Sequence, residues 1–285
     1  MTSATRPAAA QGHYVQANGI DIYYTEAGAG TPLILVHGGL VSTNPIWDAT
    51  PLSYGSHVAD LARHFRVITP DTRGCGKTRH SGGTISFALL ADDVAALIDA
   101  LGLERPCVAG FSDGGVTATI VGIRHPNAVG AIVNHAGYDF LDPRSPSMAI
   151  MRQMLGGSPD AQRSDPEAME RFFAQSPHMG AMFEMMKSDQ DGAQGDGYWR
   201  TYVDLVFART TTWPGYAFED LRKIAVPTLV LAGDRDDFCS CEDGVTTYRS
   251  LRDGELAILP NTGHVITPQS VSIMQEFFSR HTGER

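Results

Sequence analysis

No run in this chain of 285 residues stays apolar for the eighteen or so positions that a membrane-spanning helix needs. Positive charge is scarce: 22 Lys and Arg stand against 32 Asp and Glu, a formal net charge of −10. Nucleic-acid binding depends on clustered Lys and Arg, so it is not expected. Cysteines number four, Cys75, Cys107, Cys239 and Cys241. One C-x-C pair without a second such cluster is a poor zinc site, and the spacing does not suggest a disulfide framework. Buried thiols in a reducing cytoplasm are the expectation. The opening MTSATRPAAAQG carries one Arg and lacks the apolar stretch of a secretory leader, so residues 1–12 are expected to form a disordered tail. No internal repeat is visible. These absences leave a globular chain whose partner is a small molecule, with monomer and homodimer both open.

What is present alternates. HYVQANGIDIYYTEAG (13–28) switches between apolar and polar residues around Asn18-Gly19, a strong hairpin signal. PLILVHGG (32–39), FRVITPDTRGCGKT (65–78), PCVAGFSDGG (106–115) and AVGAIVNHAG (128–137) each join an apolar run to a glycine-bearing loop, as buried parallel strands do. Between them SFALLADDVAALIDALGLE (86–104) has helical spacing, with Ser86 as N-cap and Gly102 near its end. Pro126 stops a helix begun at VTATIVGIRH. Strands alternating with helices require a mostly parallel, doubly wound sheet with crossovers on both faces. From about Tyr138 to Phe218 the strand signal vanishes, and four helical stretches follow, the last two joined by SDQDGAQGDG (188–197), read as pliable. Strand signal returns at PTLVLAGDRDD (227–237) and ELAILPNTGH (255–264). The expected organisation is an α/β core over 13–137 and 219–285, interrupted by a helical cap over 138–218.

VAGFSDGG (108–115) sets a serine among glycines, which a packed core has no reason to choose. The pattern G-x-S-x-G fits a sharp strand-to-helix turn that lifts a serine hydroxyl above the sheet edge. Ser112 stands there, acidic residues (Asp234, Asp236, Asp237) follow the strand TLVLAG, and His264 follows LAILPN. All are at C-terminal strand ends, where open α/β sheets place their sites. A serine hydroxyl is a weak nucleophile unless a base takes its proton, and His264 is the candidate base. A carboxylate would hold the imidazole tautomer. His37-Gly38-Gly39 follows another strand, so the backbone N–H groups of Gly39 and Asp113 are candidates to meet a developing oxyanion.

Val36-His37-Gly38-Gly39, Asp71-Thr72-Arg73-Gly74-Cys75-Gly76, Gly110-Phe111-Ser112-Asp113-Gly114-Gly115, Gly233-Asp234-Arg235-Asp236 and Gly263-His264, in this order, resemble the α/β-hydrolase superfamily. The resemblance runs from about residue 13 to 280. It implies the α/β-hydrolase fold with an N-terminal antiparallel hairpin, a Ser112–His264–Asp236 triad by the G-x-x-D spacing, and no metal or organic cofactor. It also implies a substrate that is a small carboxylic ester or lactone. Carbon–carbon bond hydrolases and cofactor-independent perhydrolases share this triad, and a non-catalytic ligand receptor on the same fold is the alternative of another class. Asp71 and Arg73 are expected to brace their loop, and His125 and His135 to be structural. The Ser-Asp-Gly-Gly elbow is similar to that of valacyclovir-hydrolase-like amino-acid ester hydrolases. Two readings of the Asp113 carboxylate therefore stand: a helix N-terminal acid that complements the dipole, or an anchor for a substrate ammonium. Eight of the ten methionines fall in the cap and suit either helix packing or adaptable apolar binding. Trp199, Tyr202, Phe207 and Trp213 are candidate pocket-liners there.

Overall fold

The computed structural model describes residues 11–80, 82–138, 146–156 and 163–282. Asn18 and Gly19 both take positive φ, 45° and 76°, the geometry Asn-Gly prefers between paired strands. They join β1 (Gln11–Ala17) to β2 (Ile20–Ala27) in an antiparallel hairpin. Of the expected tail, Gln11 and Gly12 already belong to β1, because their backbones pair with Glu26 and Thr25; the rest lies outside the described residues.

The chain continues through β3 (Thr31–Val36), a 3-10 turn (Pro45–Ala49), α1 (Gly55–Leu61), β4 (Phe65–Pro70), α2 (Phe87–Ala100) and β5 (Cys107–Phe111). α3 (Asp113–Arg124) and β6 (Ala131–His135) follow. Four helices fall in the stretch expected to form the cap: α4 (Pro146–Met154), α5 (Pro166–Phe173), α6 (Pro177–Gln194) and α7 (Tyr198–Thr211). The short α8 (Phe218–Leu221) leads into β7 (Thr228–Gly233), α9 (Cys241–Ser250), β8 (Gly254–Leu259) and α10 (Pro268–Thr282). The eight strands form one sheet in the order β1-β2-β4-β3-β5-β6-β7-β8. β1 and β2, and β2 and β4, pair antiparallel; every later pairing is parallel.

Each parallel strand is apolar on both faces because each face is covered. In β3, Leu33 and Leu35 point to one side, with Leu61 of α1 and Phe277 and Phe278 of α10. Ile34 and Val36 point to the other, with Leu90, Val94, Leu97 and Ile98 of α2 and Val121 of α3. A third cluster joins Phe173, Phe183, Trp199 and Phe207 of α5–α7 to Val41, Trp47 and Cys75.

The stretch 188–197 is a correction. Residues 188–194 are the last two turns of α6 rather than a linker. Asp189 and Gln190 are buried there, and tertiary bonds hold the helix where local composition favours a loop. Asp189 accepts from Ser42 Oγ (2.6 Å), Asn44 Nδ2 (2.8 Å) and Trp47 Nε1 (2.8 Å). Gln190 Oε1 accepts from the Gly76 amide (3.0 Å). Only at Gly195 and Gly197, with φ of 116° and 81°, does the chain turn into α7. Among the described residues no helix is long and apolar enough to cross a membrane.

Candidate active site

Ser112 sits between β5 and α3 at φ 56°, ψ −120°, a conformation that L residues rarely adopt. Such strain costs on the order of 1–3 kcal/mol and persists only where the surroundings dictate it. The Ser112 amide donates to His135 O (2.9 Å), and its carbonyl accepts from Gly115 N (2.8 Å) and Val116 N (3.1 Å). The flanking glycines are steric requirements. A Cβ on Gly110 would collide with the Gly114 carbonyl, and one on Gly114 with the carbonyl of Val36. The chain therefore crosses itself at contact distance, and the hydroxyl stands free above the sheet.

The structure brings Asp236 and His264 to the same edge. His264 Nδ1 lies 2.8 Å from Asp236 Oδ2. A carboxylate can only accept, so Nδ1 carries a proton, and in the neutral ring Nε2 is the atom that can receive one. Asp236 has no exposed side-chain surface, and its other oxygen accepts from the amides of Phe238 (2.8 Å) and Cys239 (2.9 Å). The rings of Phe111 and Phe238 flank the imidazole at 4.8 and 4.9 Å between centroids. Of the neighbouring acids, Asp234 accepts from Thr262 N (3.1 Å) and Asp237 is exposed. The Ser112 hydroxyl has no hydrogen-bond partner among the described residues, and it lines the same cavity as His264.

The amides of Gly39 and Asp113 likewise have no acceptor among the described residues. The Gly39 N–H belongs to the peptide whose carbonyl, Gly38 O, accepts from His37 Nδ1 (2.7 Å). His37 Nε2 accepts from Thr72 N (3.0 Å), which assigns the tautomer. Burial pushes this imidazole below its ordinary range and keeps it neutral.

The Asp113 carboxylate, one of whose two readings is an ammonium anchor, already has partners. Oδ2 accepts from Arg209 Nε (3.2 Å) and Nη2, and Oδ1 accepts from the Tyr138 hydroxyl. Arg209 is 3% exposed and lies over the Phe87 ring at 5.3 Å. Burial works against its charge, but Asp113, together with Tyr202 and Tyr138, raises its pKa. A substrate ammonium would meet a carboxylate that is already neutralised. The sequence reading missed Arg209; its signal was a lone cation beside Val206 and Phe207, opposite a nucleophile-adjacent acid that needs a counter-charge.

Between cap and core lies a cavity of about 220 Å³. Its polar end carries Ser112, Asp113, His264 and Thr210; the remainder is apolar, including Met151, Met154, Met179, Met182 and Met186. Trp199 and Trp213 do not line it. Trp199 packs edge-on to Phe183 (5.5 Å) within the third cluster. Trp213 packs edge-on to Phe87 (5.4 Å) and Tyr216 (4.9 Å). Phe207 is buried in the same cluster, and Tyr202 turns its hydroxyl to Gly39 O (2.5 Å).

Asp71 accepts from the amides of Thr43 and Lys77, both at 2.8 Å, and Arg73 pairs with Asp93. Both brace their loop. His125 contacts Asp92 at 2.7 Å near the surface. No group of three or more His, Cys, Asp or Glu among the described residues is placed to hold a metal ion.

His135 is fully buried, with Nδ1 3.1 Å from the Tyr54 hydroxyl. Burial and the nearby His264 push its pKa from 6.5 down to about 3. Below 6.5 the unfolded chain binds this proton and the folded chain does not, so stability falls as pH drops through that window. Urea midpoints measured from pH 6.5 to about 3 are expected to fall less steeply for His135→Gln. An unchanged slope would assign the acid sensitivity elsewhere.

Comparison with known proteins matches residues 33–271 to a family described as the alpha/beta hydrolase family. The chain is 25% identical over 268 residues to a 2-hydroxy-6-oxo-2,4-heptadienoate hydrolase of Pseudomonas putida, covering 89% of each chain. It is 25% identical over 272 residues to a bifunctional esterase/perhydrolase of Acinetobacter calcoaceticus, covering 89% of this chain and 92% of that one. Among solved structures, a meta-cleavage product hydrolase from Pseudomonas fluorescens IP01 superposes with a TM-score of 0.73 at 20% identity. That match covers 96% of this chain and 98% of the other.

Proposed function

The chain belongs to the alpha/beta hydrolase family, and from that premise we propose that it is a serine hydrolase of neutral carboxylic esters or lactones with an apolar acyl part. Ser112 attacks the carbonyl while His264 Nε2 takes its proton, and Asp236 steadies the imidazolium. The amides of Gly39 and Asp113 meet the oxyanion, each donor being worth about 10²–10³ in rate. His264 then protonates the leaving alcohol, and a water activated by the same base releases the acid.

The observation that carries this reading is the cavity wall. Among the described residues it has no Lys or Arg, and the nearby Arg209 is neutralised by Asp113. The dienoate named for the Pseudomonas putida relative is an anion, and a buried carboxylate needs a cationic or multiply donating partner. A neutral acyl chain needs only apolar surface, which the methionines provide in adaptable form.

The test is a p-nitrophenyl ester series of rising acyl length beside a dienoate carbon–carbon substrate. Each buried methylene is worth about 0.8 kcal/mol, so kcat/KM is expected to climb about fourfold per carbon until the cavity fills. A fluorophosphonate is expected to label Ser112. Acetate as the best ester, or faster turnover of the dienoate than of any ester, would overturn the proposal.

A further inference from the structure

We propose that α7 of the cap is a positioning element for the oxyanion hole. Tyr202 holds Gly39, and Arg209 cancels the negative charge that Asp113 would otherwise set beside the developing oxyanion. The inference rests on the reading of Gly39 and Asp113 as the two oxyanion donors.

Residues 202 and 209 are two turns apart and therefore project from one face of the helix. That face addresses both donor residues at once. Tyr202 donates to the Gly39 carbonyl (2.5 Å), and Arg209 reaches the Asp113 carboxylate. Both side chains are buried. Gly39 needs such a hold because glycine has no side chain to anchor it and great backbone freedom. A larger residue is not an option, since a Cβ there would meet Asp113 Oδ2. His37 fixes the peptide before Gly39 from the core, and Tyr202 fixes the peptide after it from the cap.

Asp113 raises a different problem. Its amide serves the oxyanion, yet its own side chain is an acid. An uncompensated carboxylate this close, in a mostly apolar cavity, would oppose the charge that forms in the transition state. Arg209 removes that opposition, and Tyr138 occupies the second carboxylate oxygen. The cap helix is itself fixed to the core. Asp191 of α6 accepts from Trp199 N (2.9 Å), and Asp189 gathers three donors from the segment that follows Gly39.

The test compares Arg209→Met, the pair Asp113→Asn with Arg209→Met, and Tyr202→Phe. Each is read by kcat, KM, melting temperature and the affinity of an alkylboronic acid, which forms a tetrahedral adduct on the serine. Arg209→Met is expected to lower kcat and boronic-acid affinity together by about 10²-fold with KM little changed. Removing the acid as well is expected to restore most of both, because no net charge then faces the oxyanion. Tyr202→Phe is expected to lower both by about tenfold. A melting-temperature loss with kcat and boronic-acid affinity intact would reduce α7 to a latch between cap and core. So would a paired variant as slow as Arg209→Met alone. Failure of the boronic acid to inhibit the unaltered protein would remove the serine-hydrolase reading, and this inference with it.

Discussion

Ser112→Ala and His264→Ala are each expected to lower kcat on an activated ester by about 10⁴–10⁶, with the fold intact. The expectation follows from how the two side chains are placed. Nothing else among the described residues binds the Ser112 hydroxyl, and His264 presents a bare Nε2 to the same cavity. Among the described residues lining the cavity, no other Ser or His stands ready to take over either step. The fold is retained because the elbow is held by backbone bonds and glycine contacts in which the hydroxyl takes no part. Because the two act as one unit, the double variant should be scarcely slower than either single one. A double variant slowed by the product of the two single effects would show that they act independently, and the assignment would fail.

Asp236→Asn is expected to cost about 10²–10⁴ in kcat, and the structure supplies the reason in atomic terms. Two backbone amides, Phe238 N and Cys239 N, donate to Asp236 Oδ1. In the variant they would claim the amide oxygen and turn the NH2 group toward His264 Nδ1. The imidazole would then place its proton on Nε2, where it cannot accept from Ser112. Asp234→Asn and Asp237→Asn are expected to cost less than tenfold. The first accepts a bond from Thr262 N away from the imidazole, and the second faces solvent. Rates measured across the three variants decide the matter, and a greater loss at either neighbour would move the acid.

Those positions were legible because local chemistry dictates them. A serine at φ 56° with contact distances at Gly110 and Gly114 demands glycine two positions to either side, and that steric demand is written directly in VAGFSDGG. The two-faced strands were legible for a similar reason: burial on both sides forces the continuous runs of β3 and β5. The end of α6 was not, since Ser188, Gly192 and the surrounding polar residues favour a loop, and only Ser42, Asn44 and Trp47, some 145 residues earlier, make Asp189 helical. Arg209 and Asp113 are separated by 96 positions, so no local pattern joins them. Trp199 and Trp213 were misplaced because aromatic content marks burial without saying which surface buries it.

The five methionines of the cavity wall bear on the perhydrolase alternative that the sequence resemblance leaves open. If hydrogen peroxide replaced water in deacylation, the product would be a peracid, released within reach of Met151, Met154, Met179, Met182 and Met186. A peracid passes one oxygen to a thioether, giving the carboxylic acid and a sulfoxide. The wall would thus scavenge the oxidant that its own site had made. Each such event replaces a soft apolar contact with a polar, chiral one, so the pocket would lose its grip on a greasy acyl group as it worked. On the proposed reading, this methionine wall therefore fits deacylation by water better than deacylation by peroxide.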